Sequence, residues 1–315
     1  TVVNTPHHIS LLYTTWFDGN LVIFSIRREE KGYKARILSF SMPVGNIHTS
    51  AGRCAAQQAF GKWLDSEIRN GAFKEKELVI ITDELTCGIA FHTADCGGKP
   101  AFCRVPITYH LSLVLLARQQ RKTTGKIALR LAALYDDNDK GIAAGDEAAM
   151  ACNCARKCGL EATGPLPISR EALVQCLKTA DIVHIAGHYS TDGHIGQREE
   201  QRVEITDILK AGKIRARLVV AAMCESADRK SAPGLFNEPK GLSYALFCAG
   251  AQSIVATRVA VPGFESMEWM QEFYTHCASI RFAGRYAHAY FDTMKAMHGK
   301  WGNAEKPGKF VYYGC

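Results

Sequence analysis

Two short apolar runs constrain this chain more than any other feature: Ile182-Val183-His184-Ile185-Ala186 and Leu218-Val219-Val220-Ala221-Ala222-Met223. Each is too short for an ordinary helix and is bounded by polar or glycine-containing sequence. Each therefore reads as a strand covered on both faces, the habit of a parallel sheet. The first run leads into Gly187-His188 and the second into Cys224. In open α/β sheets, ligands and chemistry collect at the carboxyl ends of the strands. His188 and Cys224 thus read as a candidate base and nucleophile leaving two such ends, and the 36 residues between them suffice for one crossover.

The rest of the chain supplies strands and helices to match. Residues 11–17 and 21–26 are β-rich runs flanking Asp18-Gly19-Asn20, a hairpin signal, and a third run at 33–40 extends the meander. Residues 50–70 have helical periodicity through Ala55, Phe60, Trp63, Leu64 and Ile68. From Leu78 the pattern becomes strand–helix alternation. Strands are expected at 78–81, 127–134, 251–257 and 310–313, with an apolar segment at 107–118. Helices are expected at 145–158, after the capping Ser169, and at 241–248, 265–279 and 285–297. Such alternation predicts an α/β fold with a mostly parallel, helix-covered sheet behind an antiparallel hairpin. Without a repeat or a Pro/Gly-rich linker, residues 1–315 read as one compound domain, with 1–75 a hairpin-and-helix subregion and 76–315 the α/β core.

Composition narrows the function classes. The net charge of +7 is spread along the chain, and short basic clusters such as 118–122 read as solvated faces rather than a nucleic-acid footprint. No run approaches the ~18 apolar residues of a membrane helix. The twelve cysteines fall short of a disulfide scaffold and several sit in apolar patterns, so the compartment reads as reducing and cytoplasmic. The chain opens on Thr1 and reads as a fragment of a longer one.

A thiol becomes a useful nucleophile at neutral pH when a base or cation stands beside it, and an imidazole supplies either. Other readings of these residues are weaker. His184 and His188 have the zincin spacing but lie on a strand with Ile185 where that motif needs Glu, so His184 reads as a core histidine. Cys152, Cys154 and Cys158 lack a fourth ligand at standard spacing and lie on a helix, so no metal is expected. Neither a Walker A sequence nor a dinucleotide fingerprint follows a strand.

Ala180 to His188 followed by Leu218 to Ser226 resembles the CHAT domain of the caspase-like (clan CD) cysteine peptidases, the group that includes separase. The likeness continues through Ala249 to Thr257, Glu272-Phe273-Tyr274 and Phe310 to Gly314. Upstream, Ile81 to Leu85, Ser112-Leu113 and Asp146-Glu147-Ala148 fall in the family's order. The resemblance implies a caspase-like sheet and a cysteine endopeptidase needing no cofactor. Cys224 would attack the scissile carbonyl, and His188 would act as base and then acid. Backbone N–H groups of Cys224 and Tyr189, flanked by Gly187, would hold the oxyanion.

Two positions depart from the family pattern. Tyr189 follows the histidine where Gly is usual, and Arg258 to Glu265 replaces a segment that often holds Trp-Pro and Asp. Arg258, Glu265, Glu225 and Asp192 are the candidate charged contacts of the substrate pocket. Ala222 stands where relatives that cut after Arg or Lys often carry Asp. The expected partners are a protein or peptide substrate and a gating domain or protein of helical-repeat or sensor type, with neither nucleic acid nor membrane. Two alternatives stay open: a CHAT-like scaffold that binds without cleaving, and a small-molecule hydrolase or transferase using the same thiol.

Overall fold

The computed structural model describes residues 9–17, 20–29, 32–41, 49–73, 77–83, 86–120, 128–137, 144–190, 193–196, 198–223, 241–282, 284 and 286–314. They fall into two compact units, one within Thr1–Arg121 and one within Lys122–Lys230 and Lys240–Gly314.

The first unit contains β1 (Ile9–Phe17), β2 (Asn20–Glu29), β3 (Gly32–Ser41), α1 (Ser50–Arg69), β4 (Glu77–Thr82), α2 (Ala101–Arg104), β5 (Ile107–His110) and α3 (Leu113–Gln120). Its strand order is β3-β2-β1-β4-β5. The first three strands form the expected antiparallel meander, while β4 runs parallel to both β1 and β5. Leu11, Val79, Ile81 and Leu116 close a core under this sheet. The Thr49 hydroxyl caps α1 by accepting from Gly52 N at 3.0 Å. The apolar segment at 107–118 divides into β5 and α3 because Ser112 starts a helix, its hydroxyl accepting from Leu115 N at 3.2 Å.

The second unit contains β6 (Arg130–Tyr135), α4 (Ala144–Lys157), β7 (Glu161–Pro167), α5 (Arg170–Thr179), β8 (Ile182–Gly187), β9 (His194–Ile195), β10 (Val203–Glu204) and α6 (Ile205–Lys210). It continues with β11 (Leu218–Met223), α7 (Leu242–Ala249), β12 (Ser253–Thr257), α8 (Gly263–Ser279), α9 (Tyr286–Trp301) and β13 (Phe310–Gly314). Its main strand order is β13-β12-β11-β8-β6-β7, all parallel except β13. Every residue of β8 and β11 is buried, as their unbroken apolar character predicts. One group of helices packs as α4 on α8 and α8 on α9, another as α5 on α6 and α6 on α7. Trp269 of α8 stacks on Phe310 of β13 at 4.3 Å between ring centroids, anchoring the last strand.

The fold is therefore α/β, with mostly parallel strands flanked by helices and an antiparallel N-terminal meander. Cys176 and Cys277 are buried as the apolar patterns predict, but Cys248 is exposed, because α7 turns that one position of its apolar sequence outward.

Candidate active site

Gly187 ends β8 and Met223 ends β11, and the two are register partners in a parallel pair. Neighbouring strands lie about 4.8 Å apart. The two strand ends, Gly187 before His188 and Met223 before Cys224 in sequence, thus stand side by side at one level. Cys224 itself, with Glu225 and Asp192, lies outside the described residues.

Gly187 is a glycine for a physical reason. Its φ is +144°, and a Cβ there would fall 2.5 Å from Asp136 Cβ, at the end of β6. The close approach lets Asp136 N donate to Ala186 O at 3.0 Å, so β8 stays paired up to its last residue. Beyond it the chain folds straight back. Gly196 N donates to His188 O at 3.2 Å and Ser190 N to His194 O at 2.9 Å. Tyr189 bridges Ile195, which also pairs with Val203 of β10. The Ser190 hydroxyl lies 2.7 Å from His194 Nδ1. His188, half-buried, is thus held at the root of a short backbone-bonded hairpin. The non-glycine residues with positive φ are Phe73, Arg281 and Phe282 among the described residues, so Tyr189 occupies its position without left-handed strain.

A narrow crevice of about 10 Å³, room for roughly one water, lies at these strand ends. Its lining joins Gly187 and Met223 to Thr257, Val261, Ser266 and the buried Glu147. The Thr257 hydroxyl donates to Met223 O, tying β12 to the strand end that precedes Cys224. Ser266 Oγ donates to Glu147 Oε1 at 3.3 Å, and His184 Nε2 lies 3.4 Å from the same oxygen. His184 is fully buried, its Nδ1 3.0 Å from the Tyr274 hydroxyl. Burial pushes that phenol well above its ordinary range, so it stays protonated. His184 belongs to the core, as its place mid-strand implies.

Two of the other charged candidates, Glu265 and Arg258, are among the described residues. Glu265 is buried and accepts from Lys309 Nζ at 2.9 Å and pairs with Lys306 Nζ at 3.1 Å. Desolvation raises its pKa, but the two ammonium groups outweigh that and hold the carboxyl below its usual range. Arg258 is half-buried, and its backbone N–H donates to Lys309 O at 2.8 Å. Neither residue lines the pocket. Glu147, Thr257 and Ser266 do, although the sequence marks them only as a helix-start acid, a strand end and an ordinary helix residue. Their convergence is tertiary.

Burial raises the thiols of Cys152, Cys154, Cys176 and Cys277, and pushes Cys96 up to about 11, leaving these five unactivated. No group of three or more metal-ligating side chains occurs among the described residues. No helix among them is long and apolar enough to cross a membrane.

A family model described as CHAT domain matches residues 53–299. No curated protein matches the chain. Among solved structures, two of the Saccharomyces cerevisiae separase–securin complex superpose with a TM-score of 0.54 at 16% identity over 76% of this chain. At that identity the likeness is one of fold. The chain spans only 15% and 16% of the separase chains it matches.

Proposed function

Because the chain belongs to the CHAT-domain family, we propose that it is a cysteine endopeptidase whose dyad is His188 and Cys224. The observation that carries the reading is the register of Gly187 with Met223, which sends the two residues out of neighbouring strand ends. His188 takes the Cys224 proton, and the thiolate adds to the scissile carbonyl to give a tetrahedral oxyanion. Backbone N–H groups at Cys224 and Tyr189 donate to that oxygen. Collapse breaks the C–N bond as His188 returns the proton to the leaving amine, producing an acyl-enzyme thioester. Water, deprotonated by His188, then attacks the thioester and releases the acid and the thiol. No metal or organic cofactor enters this sequence.

The alternative scaffold reading draws on Tyr189 in the family's glycine position. The absence of positive φ at Tyr189 argues against it, since the substitution brings no backbone strain. The substrate is a protein or peptide laid across the strand ends. Access is gated by a partner or further domain acting on the hairpin after His188, in keeping with a relative solved with a bound partner protein.

The test is covalent labelling with a peptide acyloxymethyl ketone library, read by intact mass on wild type, Cys224→Ala and His188→Ala. Adduct formation at Cys224 that disappears in both variants is the expected result. Labelling that survives Cys224→Ala overturns the assignment. An unlabelled wild type that holds a partner protein without cleaving it establishes the scaffold instead.

A further inference from the structure

The first unit carries an open strand edge beside a groove. Strand β3 is outermost, and no strand among the described residues pairs with its outer edge. It is ten residues long, contains no proline, and exposes Ile37 to 69%. A long exposed strand edge is a row of unspent N–H and C=O groups, which natural proteins normally blunt. Beside it runs α1, whose Ala55, Ala59, Lys62, Trp63 and Ser66 recur at helical spacing on one stripe. Between that stripe and Phe40 lies an open groove of about 700 Å³.

The groove has a fixed back wall. Trp63 is half-buried and packs against Phe60 and Phe73 at ring separations of 5.6 and 6.0 Å. Arg36 reaches across to Glu67 of α1 at 3.3 Å, so the side of β3 carrying Arg36, Leu38 and Phe40 faces the helix. The charge is one-signed. Strand β3 contains Lys34 and Arg36 and no acid, and Lys62 lines the groove without an ion pair to any described residue. Glu67 is already held by Arg36.

We propose that this groove binds an extended, acidic segment of a partner protein, which adds as a strand to the outer edge of β3. Backbone bonds to β3 provide the affinity, alternate apolar side chains meet Trp63 and Phe40, and acidic ones meet Lys62. A second copy of the chain is the poorer occupant, because pairing two β3 edges sets basic strand against basic strand. The family model matches residues 53–299, so β3 lies outside the matched residues. The inference stands whether or not the dyad is active.

The test uses fluorescein-labelled ten-residue peptides in fluorescence anisotropy with the whole chain. One alternates Glu and Val, one alternates Lys and Val, and one is the Glu/Val peptide with a central proline. Saturable binding of the first alone is expected, with slowed hydrogen exchange across residues 33–41. Lys62→Glu replaces an attraction by a repulsion and should weaken binding about tenfold. Ala59→Phe, which fills the groove, should weaken it too, with thermal unfolding of both variants confirming that they fold. Equal binding of the Lys/Val or proline peptide, indifference to both substitutions, or no binding at all overturns the proposal.

Discussion

Glu77, at the start of β4, is 8% exposed, and its Oε1 accepts a 2.8 Å hydrogen bond from Thr108. Burial raises its carboxyl from the ordinary 4.5 to about 7, against the opposing pull of that bond. For an acid whose folded value is raised, the stability is fully present below the ordinary pKa and is lost as pH rises through the folded one. At about 1.36 kcal/mol per unit, the shift makes ionisation cost roughly 3 kcal/mol of folding free energy by pH 8. Glu77→Gln keeps the shape and the acceptor but never ionises. Hydrogen exchange of the 77–82 backbone, measured for both proteins at pH 4, 6 and 8, reads this unit locally. The variant should match wild type at pH 4 and exceed it by about 3 kcal/mol at pH 8, with most of the divergence between pH 4.5 and 7. A difference that stays constant with pH would refute the reasoning, since a packing change has no such dependence.

Gly187→Ala forces a Cβ against Asp136 at a φ of +144° and should cost about 3 kcal/mol in urea unfolding. Under the proposed mechanism it also abolishes probe labelling of Cys224, since it displaces the root of the His188 hairpin; normal labelling would count against that hairpin's role. Burial raises the Asp181 carboxyl, but bonds from Leu129 N at 2.9 Å, Arg130 N at 3.1 Å and Arg215 Nε at 3.1 Å hold it below its ordinary 3.8. Asp181→Asn should therefore cost about 2 kcal/mol at pH 7. That gap should shrink as pH falls through the depressed folded value, and a gap that widens in acid would contradict the assignment.

The sheet was readable because buried parallel strands announce themselves. The apolar runs at 182–186 and 218–223 have no other economical reading, and the helix at 50–70 follows from the spacing of Ala55, Phe60, Trp63, Leu64 and Ile68. Strand β7 was missed because Glu161-Ala162-Thr163-Gly164-Pro165-Leu166-Pro167 lacks strand formers. Its place at the end of the unit's strand order tolerates proline. Helix α6, only six residues long, gives too little periodicity to find. The strand end before His188 was legible because the apolar run stops at Gly187. The pocket lining was not, because Glu147 and Ser266 come from helices 119 residues apart. The engagement of Glu265 was equally hidden, because its lysines are distant in sequence and close only after folding.

That double lysine contact has a consequence in time. Glu265 lies between Val261 and Ser266, two residues of the pocket wall, and its partner Lys309 is translated 44 positions later. Strand β13, which pairs with β12 behind that wall, is made later still. Domains fold in step with synthesis, N-terminal parts first. A nascent chain that has already produced His188 and Cys224 therefore has its wall unclamped, and the ribosome must pass Lys309 before the clamp closes. Synthesis past Lys309 becomes the event that clamps the wall, so a chain terminated before that residue contains Val261 and Ser266 and lacks the contact that fixes them.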